Sequence, residues 1–137
     1  MADLSVTPAQ VIPNANVSAQ RATAGATIAA GDIVYKDSNG RLQLSDADGA
    51  AAAQAVSGMA VCGGAAGQPI SYVTEDDDIT IGDNCVEGAI YVLSGTAGKM
   101  CDAADLAAND KAVFLGVGKA DGKMNFKPVA GGIVQAG

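Results

Sequence analysis

No histidine occurs anywhere in this chain, tryptophan is also absent, and aromatic residues together make up only 4%. Without histidine, Ser-His and Cys-His nucleophile pairs and His-ligated metal sites are excluded, along with the usual proton shuttle near neutral pH. That removes most hydrolase designs. Scarce aromatics mean that any interior is packed by smaller side chains, and that large aromatic anchors are rare at any interface. Basic residues are few, 8 Lys and Arg against 15 Asp and Glu, for a net charge of -7. This balance argues against holding a nucleic-acid backbone by charge neutralisation. Cys62, Cys85 and Cys101 are odd in number and form no C-x-x-C pair, so reduced thiols are expected rather than a metal knuckle or a complete disulfide framework. Nothing before Gly31 has the basic start and apolar core of an export signal or the length of a membrane span, so the chain reads as made and used in solution.

What is abundant is glycine, with 18 residues, and small apolar side chains within a 49% hydrophobic composition. At 137 residues this supports one domain with a real core. The chain also repeats an order of residues. Gly31-Asp32-Ile33-Val34-Tyr35, Gly40-Arg41-Leu42, Asp46 and Ala55-Val56-Ser57-Gly58-Met59 are echoed by Gly88-Ala89-Ile90-Tyr91-Val92, Gly98-Lys99-Met100, Asp102 and Ala112-Val113-Phe114-Leu115-Gly116. The offset of roughly 57 residues exceeds the usual solenoid periods, so two tandem β-modules closing one small barrel are expected rather than an open array.

Residues 1–24 differ in texture. Val6, Pro8, Val11, Ile12, Pro13 and Val17 lie among polar residues without helical or strand period, and the two prolines cannot sit inside a central strand. This segment reads as an extended arm that becomes ordered by lying across a partner, with those six residues as the candidate interface contacts, because they are too apolar for a purely solvated tail. Ser18 to Ala24 can lead into the first module as a short strand.

Residues 25–137 read as one β domain, with pseudo-repeats over about 25–80 and 81–130. Ile33 to Lys36 and Arg41 to Leu44 form a hairpin about Asn39-Gly40, a pair suited to a two-residue turn. Val56 to Cys62, Pro69 to Thr74, Ile79 to Ile81, Ala89 to Leu93, Lys111 to Gly118, Lys123 to Val129 and Ile133-Val134 follow as strands. Short helices are expected at Asp46 to Gln54 and Asp102 to Asn109, each with an aspartate placed to cap it. The fold class is therefore mainly β, a small barrel or sandwich built from two similar modules with one or two short helices and an extended N-terminal arm.

Glu75-Asp76-Asp77-Asp78 is the densest charge cluster. Four consecutive residues on an extended chain point alternately to opposite faces, so a solvated turn is expected there, and calcium would bind only if the carboxylates converged. Gly63-Gly64 and Gly131-Gly132 open no helix and precede no Gly-Lys-Ser/Thr, which leaves turns rather than a phosphate cradle. Asp110-Lys111-Ala112 and Gly98-Lys99-Met100 touch on the modified lysines of lipoyl and biotinyl carriers, but Val113 to Val117 continues directly as an apolar strand. No catalytic residue, cofactor or resident metal follows from these residues.

Several passages, in order, resemble the small Gly/Ala-rich capsid decoration, or cement, proteins of tailed bacteriophages. They are Gly25 to Tyr35, Leu44 to Asp48 with its alanine run, Ala65-Ala66-Gly67-Gln68-Pro69-Ile70, Gly88 to Ser94 and Leu115-Gly116-Val117-Gly118. The resemblance implies a β-barrel-like or β-tulip-like domain on the outer surface of a virion, made in the host cytoplasm. Its implied partners are the major capsid protein and other copies of itself, as a trimer in preference to a dimer, with no nucleic acid, membrane or cofactor and no catalytic residues. A fibre-base or receptor-binding module of a phage, and a lipoyl- or biotinyl-like carrier domain, are the alternative readings.

Overall fold

A computed structural model describes residues 11–13, 19–45, 56–81, 87–93, 98–102, 111–119, 123–128 and 133–135. The described part is mainly β, in two antiparallel sheets, and contains no helix. Its strands are β1 (Gln20–Thr23), β2 (Ile33–Lys36), β3 (Leu42–Leu44), β4 (Gly58–Ala60), β5 (Pro69–Val73), β6 (Asp76–Thr80), β7 (Ile90–Leu93), β8 (Met100–Asp102), β9 (Lys111–Gly118), β10 (Lys123–Phe126) and β11 (Ile133–Gln135). The helix expected at Asp46 to Gln54 lies outside the described residues. Of the second, Asp102 ends strand β8 paired with Tyr91, and the remainder lies outside the described residues.

The first sheet runs β1-β5-β4-β2-β3 and the second β6-β10-β9-β7-β8, with β11 pairing β9. Replacing each strand of the first by the strand five places later in the chain reproduces the second order. Register repeats as well. Ile33↔Met59 and Val34↔Gly58 in the first sheet correspond to Ile90↔Val117 and Tyr91↔Gly116 in the second. Connecting hydrogen bonds follow suit: the Gly31 N–H donates to the Ala60 carbonyl at 2.7 Å, and the Gly88 N–H to the Gly118 carbonyl at 3.0 Å. The sequence alignment set Met59 against Gly116, whereas strand register sets Gly58 against Gly116, and Leu44 rather than Asp46 against Asp102. The chain runs the same length from Leu42 to Gly58 as from Met100 to Gly116, so the slip arose from matching like residues, whereas strand pairing fixes the correspondence. The division between the sheets falls between Val73 and Asp76, ahead of residue 81, and Gln20–Thr23 belongs to the first sheet rather than to the arm.

Alternation along the strands separates two apolar clusters. On one face of the first sheet, Val34, Leu42, Ala60, Ile70 and Tyr72 gather with Ala24 and Ile28. Ala24 forms a parallel bridge to Leu42, so the two edge strands of this sheet touch at one point, and Ile28 bridges Gly64 across the end. The opposite face carries Ile33, Met59 and Val73, each fully buried in a larger cluster with Ile79, Tyr91, Leu93, Met100, Leu115, Met124 and Phe126 of the second sheet. The first sheet thus docks its outer face on the inner face of the second.

Two local expectations change. The β2–β3 hairpin closes by Lys36↔Leu42, and the Gly40 N–H donates to the Asp37 carbonyl at 3.0 Å. The Asp37 carboxylate accepts from the Asn39 and Arg41 N–H groups at 2.9 and 3.0 Å, drawing the chain into a longer loop with Gly40 at φ 77 instead of a two-residue turn. The acidic run is not a turn: Asp76 to Asp78 begin strand β6, because the neighbouring β10 offers Lys123, Met124 and Phe126 as register partners.

Candidate binding surface

Of the six arm residues singled out by sequence, Val6, Pro8 and Val17 lie outside the described residues. Val11, Ile12 and Pro13 are placed, with three different fates. Val11 is buried in the larger apolar cluster, Pro13 is half-buried, and Ile12 is 60% exposed. Backbone geometry explains the split. Ile12 and Thr80 exchange two N–H···O bonds, each 2.9 Å, so the arm lies along the edge of β6. Successive residues on such a segment point to opposite faces, which turns Val11 inward and Ile12 outward.

Directly paired residues share a face, so the outer face of the second sheet can be followed from strand to strand. Ile12 pairs with Thr80, and Thr80 with Lys123. Two residues further along β10, Asn125 pairs with Val117 of β9, which pairs with Ile90 of β7. Ile90 is 48% exposed and Asn125 is exposed, while their chain neighbours Tyr91, Met124 and Phe126 are buried on the other side. Ile12 and Ile90, the exposed large hydrophobic residues of the described chain, therefore occupy one face.

Between them sits a small charge platform. The Lys119 ammonium donates to the Asp78 carboxylate at 2.8 Å and to the Asp77 carbonyl at 3.1 Å, while Lys123 reaches Asp78 at 3.5 Å. The hydrogen bond from Lys119 holds the Asp78 carboxyl below its usual range, aided by the charges of Lys119 and Lys123. The same bond raises the Lys119 ammonium. All three side chains stay roughly two-fifths exposed, so water screens the pairs.

Alternation along β6 sends Asp76 inward, nearly buried, and leaves Asp77 exposed. The Asp76 carboxylate accepts the Asp78 N–H at 3.0 Å. β6 carries the extra residue where the register with β10 shifts between Met124 and Phe126. Beside this bulge is an open hollow of about 340 Å³ lined by Glu75, Asp76, Asp77, Asn125, Phe126 and Lys127. Among the described residues no group of three or more Cys, Asp or Glu side chains is gathered closely enough to hold a metal ion.

The remaining singled-out residues serve the scaffold. Lys99 pairs with Asp32 at 3.3 Å, where the Asp32 carboxylate also accepts the Ala29 N–H at 3.0 Å. This joins the β7–β8 turn to the start of β2. Lys111 is the first residue of β9 and pairs with Gln135, not the tip of a hairpin. Gly63 and Gly64 lie against Ile28 in its bridge, whereas Gly131 and Gly132 lie outside the described residues. Cys62 is exposed, its sulfur accepting the Ser71 N–H at 3.1 Å, and Cys101 is buried; neither is in a disulfide. Cys85 lies outside the described residues.

Sequence reasoning found Ile12 but missed Ile90, Val117 and Asn125. Their signal was present in the repeat, since they are the register counterparts of Ile33, Met59 and Val73, but both rows are mostly apolar in sequence and only packing distinguishes them. No known protein family matches the chain, and no curated protein matches it either.

Proposed function

We propose that this chain is a structural virion protein, a capsid decoration protein of a tailed bacteriophage that binds the outside of the shell and bridges neighbouring major capsid subunits. The observation that carries the reading is the division of labour among its side chains. Charged and sulfur-bearing groups such as Asp32, Asp37, Asp78 and Cys62 are engaged in holding turns, strand edges and backbone, while Ile12 and Ile90 are presented outward from one sheet face. Such a surface favours contact over chemistry. The ordered resemblance from Gly25 to Gly118 supports the same reading, and with it a barrel- or tulip-like closure of the domain. Net charge of -7 keeps many copies soluble before assembly. Affinity then comes from many modest contacts engaged together across a shell.

The deciding experiment mixes purified full-length chain with expanded shells that lack it, followed by co-sedimentation and cryo-electron microscopy. Saturable binding to the outer surface, with shells that resist heat better when occupied, is the expected outcome. Density at the tail would favour the fibre-base reading, and a chain that never joins particles would end the proposal. Intact mass after expression with lipoyl or biotin ligases tests the carrier alternative at Lys111 and Lys99.

A further inference from the structure

We infer that Asn39-Gly40 is a site of spontaneous covalent modification, where the Asn39 side-chain amide is lost through a cyclic imide at a rate held down by the Asp37 carboxylate. Six asparagines occur in the chain, and Asn39 alone is followed by glycine. The others precede Ala, Val, Cys, Asp or Phe, whose side chains crowd the backbone nitrogen that must attack. Asn39 and Gly40 are both exposed in the loop that joins β2 to β3. Gly40 sits at φ 77, and beyond its chain neighbours no atom lies within 4 Å of where a Cβ would stand, so the loop leaves room beside Gly40 for the ring to close.

The reaction balances between the chain and water. The Gly40 nitrogen gives up its proton and bonds to Asn39 Cγ, while the C–N bond of the side-chain amide breaks and its nitrogen leaves as ammonia with that proton. Water then opens the imide. Cleavage at Cγ leaves an aspartate in an ordinary backbone. Cleavage at the backbone carbonyl leaves an isoaspartate, with the main chain rerouted through Cγ and one carbon longer. Either product adds a negative charge near Asp37, and the isoaspartate lengthens the loop that closes Lys36 on Leu42.

The same loop restrains the reaction. The Gly40 N–H donates to the Asp37 carbonyl at 3.0 Å, so the attacking nitrogen must first leave that bond. One Asp37 carboxylate oxygen accepts the N–H groups of Asn39 and Arg41, on either side of Gly40, at 2.9 and 3.0 Å. The other oxygen accepts from the Gln43 side-chain amide at 3.0 Å. The Gln43 bond first, then those from Arg41 and Asn39, hold the Asp37 carboxyl below its usual range, so the group stays charged under the conditions in which the Gly40 nitrogen loses its proton. A fixed negative charge flanking that nitrogen opposes formation of the anion that attacks.

The modification needs no shell, so its test is separate from that of capsid binding. Purified full-length chain is incubated at mildly alkaline pH in heavy-oxygen water, then mapped by peptide mass spectrometry with fragmentation that separates isoaspartate from aspartate. The folded chain should convert at Asn39 and not at Asn125, which lies in β10 ahead of buried Phe126, and more slowly than the same chain unfolded in urea. Gly40→Ala, whose β-carbon meets open space, should suppress conversion by about tenfold or more. Asp37→Asn removes the charge but keeps an acceptor oxygen, and should speed conversion of the folded chain about three- to tenfold. Circular dichroism checks that each variant stays folded, and Asp37→Ser replaces Asp37→Asn if it does not. A folded chain that keeps Asn39 intact while the unfolded chain converts, a folded rate equal to the unfolded one, or a rate unchanged by loss of the Asp37 charge would each overturn the inference.

Discussion

Gly58 and Gly116 occupy the same place in the two sheets. A Cβ on Gly58 would collide with the carbonyl oxygen of Val73 and lie 2.8 Å from the Tyr72 ring, and one on Gly116 would collide with the carbonyl oxygen of Asn125 and lie 2.9 Å from the Met124 methyl. Val73 and Asn125 are register counterparts, as are Tyr72 and Met124. The two halves therefore share a steric constraint as well as a strand order. Each central strand crosses its neighbour so closely that only hydrogen fits.

Alanine at Gly58 or Gly116 should destabilise the fold by about 1–3 kcal/mol each, since the obstructing atoms are backbone and cannot swing aside. Gly40→Ala should cost only about 1 kcal/mol, from its φ of 77, because nothing lies within 4 Å of the new carbon. Gly98 has nearly the same φ, 78, but its Cβ would sit 2.9 Å from a Leu44 methyl, so Gly98→Ala should exceed Gly40→Ala. Shifts in urea midpoint at constant slope measure all four.

Met59 and Val117 are also counterparts, yet truncation should separate them. Met59→Ala opens a cavity in a fully buried site and should cost about 2–5 kcal/mol. Val117→Ala lies on the half-open outer row, so its cost to the dilute monomer should stay under about 1 kcal/mol. Thermal melts of both variants at low concentration test this ordering, and equal losses would contradict the assignment of faces.

Asp32 should matter more than its partner Lys99. Removing Lys99 breaks an ion pair with one half-exposed member, worth about 0–1 kcal/mol. Asp32→Ala also strips the acceptor from the Ala29 N–H and should cost about 1–2 kcal/mol more. Asp32→Asn, which keeps an acceptor oxygen, should recover part of that loss. Denaturant midpoints rank the three variants.

The Asp78 platform gives stability a pH signature. Because the folded-state pKa of Asp78 lies below its unfolded value of 3.8, its contribution is complete above that value and fades as pH falls through the lower folded pKa. Lys119 is shifted upward from 10.5, so its contribution is complete below that value and fades as pH rises through the higher folded pKa. Asp78→Asn should flatten both limbs of the stability profile, and added salt should mimic part of the effect. An unchanged profile in the variant would refute the role of this pair.

Thiol labelling should distinguish the described cysteines. Under native conditions an alkylating reagent should modify exposed Cys62 readily and leave buried Cys101 intact until the protein unfolds. Peptide mass mapping at successive denaturant concentrations reads both sites.

The sequence alone determined the β character, nearly every described strand and the existence of two similar halves. These are carried by local signals: alternation, glycine-bearing turns, and residue order repeated at a nearly constant spacing. The Leu42–Met100 equivalence was legible because both follow a glycine of left-handed conformation by two residues. Tertiary structure decided what spacing cannot encode. It drew Asp76, Asp77 and Asp78 from an expected turn into β6, since strand formation there depends on a distant partner, β10. It sent Val11 into the core and left its neighbour Ile12 outside, a choice made by one bridge to Thr80. Above all, it buried Ile33 and exposed Ile90, two isoleucines at the same place in the repeat. Side-chain type records what a position can bury, but only the packing of one sheet on the other decides which copy of that position meets protein and which meets water.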